Sequence, residues 1–97
     1  MLALYRFFNK NNGSHFYTVS VAERDRVKSR LAATYTYNGE AYRVCSANVA
    51  GSTPVYRFYN AKLGTHFYTA SEQEKRNVVL NLSKTYRLEG AAFFVAP

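Results

Sequence analysis

Tyr5-Arg6-Phe7-Phe8-Asn9 returns as Tyr56-Arg57-Phe58-Tyr59-Asn60, and Gly13-Ser14-His15-Phe16-Tyr17-Thr18 returns as Gly64-Thr65-His66-Phe67-Tyr68-Thr69. Both echoes lie 51 residues on, and the same offset carries residues 4–46 onto 55–97 without a gap, with 18 of 43 positions identical. A repeat of this length is a supersecondary unit that buries its apolar face against its own copy. It also supplies an internal control. A residue kept in both copies is required by the unit, whereas one found in a single copy, such as Cys45 opposite Ala96, is a local addition.

Working outward from the echo, each copy opens with an alternating aromatic segment and a turn-rich stretch ending in Gly13 or Gly64, followed by His-Phe-Tyr-Thr. That is the pattern of two short strands joined as a hairpin. Ser20 stands three residues before Glu23, and Ser71 three before Glu74, the capping-box spacing that satisfies free amides at a helix start. A helix is expected from there to about Leu31 or Leu82, with Val27 and Leu31, or Val78, Val79 and Leu82, turned inward. The β-branched and aromatic runs that follow, broken by Gly39 or Gly90, read as a second hairpin. The expected fold is α+β: two tandem ββαββ repeats, 4–46 and 55–97, related by approximate twofold pseudosymmetry, sharing one core and joined by a linker at 47–54.

With 97 residues and 47% hydrophobic side chains the chain fits one domain, 1–97, and a unit of roughly 45 residues is too small to hold a core without a partner surface. Cys45 has no cysteine to pair with and reads as a small buried hydrophobe. No apolar run is long enough to span a membrane, and the opening Met-Leu-Ala-Leu runs directly into Arg6, so no signal peptide is expected at this start. That leaves a cytoplasmic product, release by lysis, or a piece of a larger secreted protein. The net charge of +7 is shared by both halves, with 7 basic and 3 acidic side chains in residues 1–50 and 6 and 3 in the rest. Such a surface favours polyanions of several kinds: nucleic acid, membrane surfaces and the phosphate polymers of bacterial walls.

His15 and His66 are the only histidines and hold equivalent places. In a regular strand His15 and Tyr17 share one face and Phe16 and Thr18 the other, as do His66 and Tyr68 against Phe67 and Thr69. One face is core, and the other either edges the core or forms a binding surface. The two histidines lack the short ligand spacing of a metal site, no acid is placed to orient an imidazole for nucleophilic catalysis, and the only acids kept in both copies, Glu23 and Glu74, read as helix caps. No enzyme, metal or cofactor is expected. Nine tyrosines and seven phenylalanines offer flat apolar faces, many with a polar tip, suited to stacking on sugars or on bases. The basic face Arg24, Arg26, Lys28 and Arg30 has only partial counterparts in copy two and reads as a solvated helix surface. Asn9 and Asn60 fit turn positions, where an amide side chain bonds the backbone.

The paired signature Tyr-Arg-Phe-(Phe/Tyr)-Asn, Gly-(Ser/Thr)-His-Phe-Tyr-Thr, Ser-x-x-Glu-(Arg/Lys) and Tyr-x-x-(Asn/Glu)-Gly resembles an uncharacterised repeat family and covers almost the whole chain. Its members look like accessory repeats in secreted bacterial and fungal proteins, often beside wall-lytic hydrolases, phage endolysins included. Family copies commonly carry a Trp after the helix, where this chain has Tyr35 and Tyr86. The resemblance implies attachment: a non-catalytic cell-wall or carbohydrate-binding module, acting outside the cell or at the wall with a linked lytic domain. The alternatives are a structural or protein-interaction repeat and, further off, a nucleic-acid binder. The residues expected to touch a glycan or an anionic wall polymer are Arg6, Asn9, His15 and Tyr17, with Arg57, Asn60, His66 and Tyr68. Because relatives often carry more copies, a two-copy chain is expected either to be complete or to associate with another copy as a homo-oligomer.

Overall fold

In each copy the alternating aromatic segment becomes the central strand of a three-stranded antiparallel sheet. The structure, a computed structural model, describes residues 1–45 and 49–96. Ser46, the start of the expected linker at 47–48, and Pro97 lie outside the described residues. The elements run β1 (Leu2–Asn9), β2 (His15–Thr18), α1 (Val21–Arg30), β3 (Tyr35–Val44), β4 (Thr53–Asn60), β5 (Thr65–Thr69), α2 (Glu72–Asn81) and β6 (Arg87–Val95). The sheets have the orders β2-β1-β3 and β5-β4-β6, so the fold is α+β with the same topology in each half. Strand β4 takes Thr53 and Pro54 from the expected linker; Pro54 pairs with Phe94 beyond the reach of β5, where the ladder needs no second N–H.

The expected second hairpin does not form, and each unit is ββαβ rather than ββαββ. Strand β3 runs through Gly39 and pairs with β1 along its whole length, leaving Asn38 and Ala41 unpaired as bulges. Strand β6 does the same on β4, with Glu89 and Ala92 bulged out. Gly39 and Gly90 have φ of 91° and 106°, which a residue with a Cβ rarely adopts, so these glycines bend one strand where a turn would have ended it.

Both helices start as expected. Ser20 Oγ accepts the Glu23 N–H at 3.0 Å and Ser71 Oγ accepts that of Glu74 at 3.1 Å, while Leu31 and Leu82 are the C-caps. The inward stripe is narrower than the spacing implies. Only Val27 and Val78 are buried, and Leu31, Val79 and Leu82 lie exposed. The helices cover the sheets largely with cationic side chains instead: Arg24 lies 4.7 Å above the Tyr5 ring, Lys75 4.5 Å above the equivalent Tyr56, and Lys28 4.7 Å above Tyr37. Part of the basic face of α1 is therefore packing material and not a solvated surface.

The shared core also resolves differently. A buried cluster of Tyr5, Phe7, Phe16 and Val27, with Ala3, Tyr35 and Tyr37 against it, draws only on copy one. In copy two Phe58 is fully buried and Phe67 stacks 6.0 Å from it and 5.9 Å from Tyr86. Each sheet thus closes a small core with its own helix, and a seam joins the two units. Cys45 is buried there, its N–H donating to Phe94 O at 2.9 Å, which ties the end of β3 to β6.

Candidate functional site

Strand β2 is an edge strand, and residues in its non-hydrogen-bonded pairs with β1 aim their N–H and C=O outward. Tyr17 is one of these. Its N–H donates to the Tyr68 hydroxyl at 2.8 Å, and its carbonyl accepts from that hydroxyl at 3.3 Å and from Arg57 Nη1 at 3.2 Å. Copy two therefore covers the bare edge of copy one. Burial pushes the Tyr68 phenol well above its usual range, against the opposing pull of its bond to Tyr17 and of Arg57.

Arg57 organises the seam. Its Nε donates to Glu89 Oε1 at 2.7 Å, Nη1 and Nη2 reach Glu23 at 3.3 and 3.5 Å, and its guanidinium lies 4.9 Å from the Phe16 centroid. Burial acts to raise the Glu23 pKa, but hydrogen bonds from Thr18 and Arg57 with the charges of Arg57 and Arg26 outweigh it and hold the carboxyl below its usual value. The expected capping box is thus only half formed. Ser20 caps the helix, but the Glu23 carboxylate turns outward to the seam, and the Ser20 N–H is taken by Thr18 Oγ1.

His66 stacks between Phe16 and Tyr59, with ring centroids 4.8 and 5.1 Å away, and its Nε2 lies 3.6 Å from Glu89. Burial lowers its pKa, and Arg57 adds to this against Glu89, so at neutral pH the contact is between a neutral imidazole and a carboxylate.

Around these groups opens a groove of about 480 Å³. Phe16, Tyr35, Tyr59 and His66 give it aromatic walls; Glu23, Arg57 and Glu89 line it with charge, and Asn11, Asn12 and Arg26 complete its polar lining. The Tyr35 phenol is pushed up by burial, opposed by a hydrogen bond with Asn9. Aromatic walls with convergent polar groups are features that ligand-binding grooves share.

The expected site residues divide into three groups. Arg57, His66 and Tyr68 come together in the seam. Arg6, His15 and Tyr17 share the corresponding face of copy one, where His15 is exposed beside Phe8, 5.6 Å away, and Arg6 Nε is buried without a partner among the described residues. Asn9 and Asn60 serve the hairpin turns. Asn9 Oδ1 accepts the Asn11 N–H, and Asn60 Oδ1 accepts those of Lys62 and Leu63. Only Asn9 also reaches the seam, through Nδ2 to Gly64 O at 3.5 Å.

The sequence reading missed Glu89, Tyr35 and Tyr59 as site residues. Glu89 fails the repeat filter because its counterpart is Asn38; the usable signal was an acid directly before a bulge-forming glycine. Among the described residues no three His, Cys, Asp or Glu side chains are grouped to hold a metal, and no helix is long and apolar enough to cross a membrane.

No curated protein and no solved structure matches the chain. A family described as a domain of unknown function, DUF5648, matches residues 1–96, and the chain belongs to it.

Proposed function

We propose that the chain is a non-catalytic module that binds a cell-wall glycan or related carbohydrate in the groove between its two units, as the attachment part of an endolysin or similar wall-lytic hydrolase. The observation that carries this reading is the groove itself: Tyr35 and Tyr59, both half-buried, offer ring faces of the kind sugars stack on, and Asn11, Arg26 and Glu89 offer hydrogen-bond partners for hydroxyls. The net charge of +7 would concentrate the module at an anionic wall outside the cell, after lysis or secretion. This reading rests on one groove at the seam, which Asn9, Arg57 and His66 of the expected residues line.

The halves share one topology, which supports a duplicated unit. Among the described residues their contacts run one way: Arg57 meets Glu23 and Tyr17, without the reciprocal Arg6 contacts that a twofold axis requires. This favours a head-to-tail relation between the units over the approximate twofold.

Retention on purified peptidoglycan sacculi, intact and stripped of wall polymers, tests the reading. Tyr59→Ala is expected to weaken retention by on the order of tenfold while leaving the fold intact. A domain that stays in the supernatant with both preparations at low salt would sink the proposal. That outcome would favour a structural or protein-interaction repeat, a reading supported by the use of Arg57, His66 and Tyr68 to hold the units together. Nuclease-sensitive retention that falls steeply with salt would point to nucleic acid.

A further inference from the structure

We propose that the open face of copy one is a socket for copy two of a second chain, built on the same contacts that join the units within one chain. The internal seam is the template. In it a signature face, Arg57, His66 and Tyr68, meets an edge, formed by Phe16, the Tyr17 backbone and Glu23. A shift of 51 residues turns this into Arg6, His15 and Tyr17 facing Phe67, the Tyr68 backbone and Glu74.

Both halves of that second contact are present in the chain, and among the described residues, apart from the Tyr17 ring that edges Tyr68, neither meets its counterpart. On the socket side, Arg6 Nε is buried without a partner among the described residues. Its cis partner is missing because the bulge that presents Glu89 to Arg57 holds Asn38 in copy one. Arg6 thus lacks the same-copy carboxylate of its counterpart and makes no ion pair among the described residues; a carboxylate from outside would pair its charge as Glu23 pairs Nη1 and Nη2 of Arg57. On the same sheet Tyr42, paired with Leu4, is 63% exposed.

On the plug side, β5 is an edge strand, and Tyr68 pairs with Arg57 in the register that Tyr17 has with Arg6, so its N–H and C=O point outward. Phe67 is only half-buried, whereas the equivalent Phe16 is 5% exposed under Arg57 and His66. Glu74 is exposed, and among the described residues its carboxylate makes no hydrogen bond or ion pair, while its backbone N–H donates to Ser71 Oγ. Bare edge, uncovered ring and free carboxylate recur at the three positions that copy two occupies in copy one. A second copy of this chain fits them by the same chemistry. The contact is heterologous, so it adds chains head to tail.

Sedimentation velocity of the full chain over a wide concentration range tests this. The wild type is expected to associate reversibly, and Glu74→Arg, a change on an exposed side chain, to weaken association by on the order of tenfold or more. The double variant Arg6→Glu, Glu74→Arg, with its charges exchanged, is expected to recover it. If the double variant does not fold, mixing Glu74→Arg with wild type gives a second test, since only half of the possible contacts keep their charge pair. A chain that remains monomeric at every concentration, or that associates equally well as Glu74→Arg, overturns the proposal. Neither result bears on retention by sacculi, which depends on the groove at the internal seam.

Discussion

Arg57 and Arg6 occupy the same position in the repeat and live in different surroundings. Arg57 is held by two carboxylates, a carbonyl and an aromatic ring, with 15% of its side chain exposed. Arg6 has its Nε buried and without a partner among the described residues. The histidines differ likewise: His66 is enclosed between rings, while His15 lies open at the surface. Identity between copies therefore reports what the unit needs in order to fold or to meet a neighbour. It does not report that both copies are meeting one. The same side chains act as mortar in one unit and as an open surface in the other.

The largest effect separating the two is expected from removing each arginine. Arg57→Ala leaves Glu23 and Glu89 partly buried without their shared cation and strips the Tyr17 carbonyl of a donor. Because these carboxylates keep some exposure, a loss of about 2–3 kcal/mol is expected in urea denaturation of dilute protein. Arg6→Ala removes an unpaired buried nitrogen and is expected to change stability by less than about 1 kcal/mol. Equal losses would mean that the seam does not depend on the Arg57 network.

Much of this asymmetry lay beyond the sequence, for physical reasons. The first hairpin and the helix starts were legible because alternation and the Ser-x-x-Glu spacing are local signals, and Phe16 and Thr18 are buried as the alternation predicts, with His15 and Tyr17 on the other face. The second hairpin failed because a glycine that ends one strand and a glycine that bends one look alike locally; the long-range pairing with β1 and β4 decides between them. The groove escaped because its members come from both copies and include Glu89, which the repeat filter discards. A filter built on equivalence assumes equal surroundings, and the contacts of Arg57, which Arg6 does not repeat among the described residues, break that assumption.

The tyrosine pair gives a sharper version of the same comparison. The Tyr68 hydroxyl bonds both backbone groups of Tyr17, so Tyr68→Phe leaves an edge N–H unpaired within the seam and is expected to cost about 1–1.5 kcal/mol. Tyr17 contributes its backbone and its ring, 5.3 Å from Tyr68 and nearly perpendicular to it, so Tyr17→Phe keeps those contacts and is expected to fall within about 0.5 kcal/mol of wild type. Thermal denaturation of the two variants side by side checks the difference. A Tyr17→Phe loss matching that of Tyr68→Phe would show that copy one already uses its own hydroxyl.

The smallest expected effect is a pH dependence. Burial first, then Arg57 against Glu89, lowers the His66 pKa below the ordinary 6.5, so the unfolded chain takes up the proton more readily than the folded one. The resulting loss of stability begins as pH falls through about 6.5 and levels off below the folded pKa. Glu23, also depressed, adds to the loss only at more acid pH, as protonation of its carboxyl breaks the pair with Arg57. Unfolding midpoints measured from pH 7.5 to 5.5 should therefore decline in wild type and decline less in His66→Gln. A slope that survives undiminished in His66→Gln would mean that the enclosed imidazole of the seam is not the group through which the molecule responds to protons.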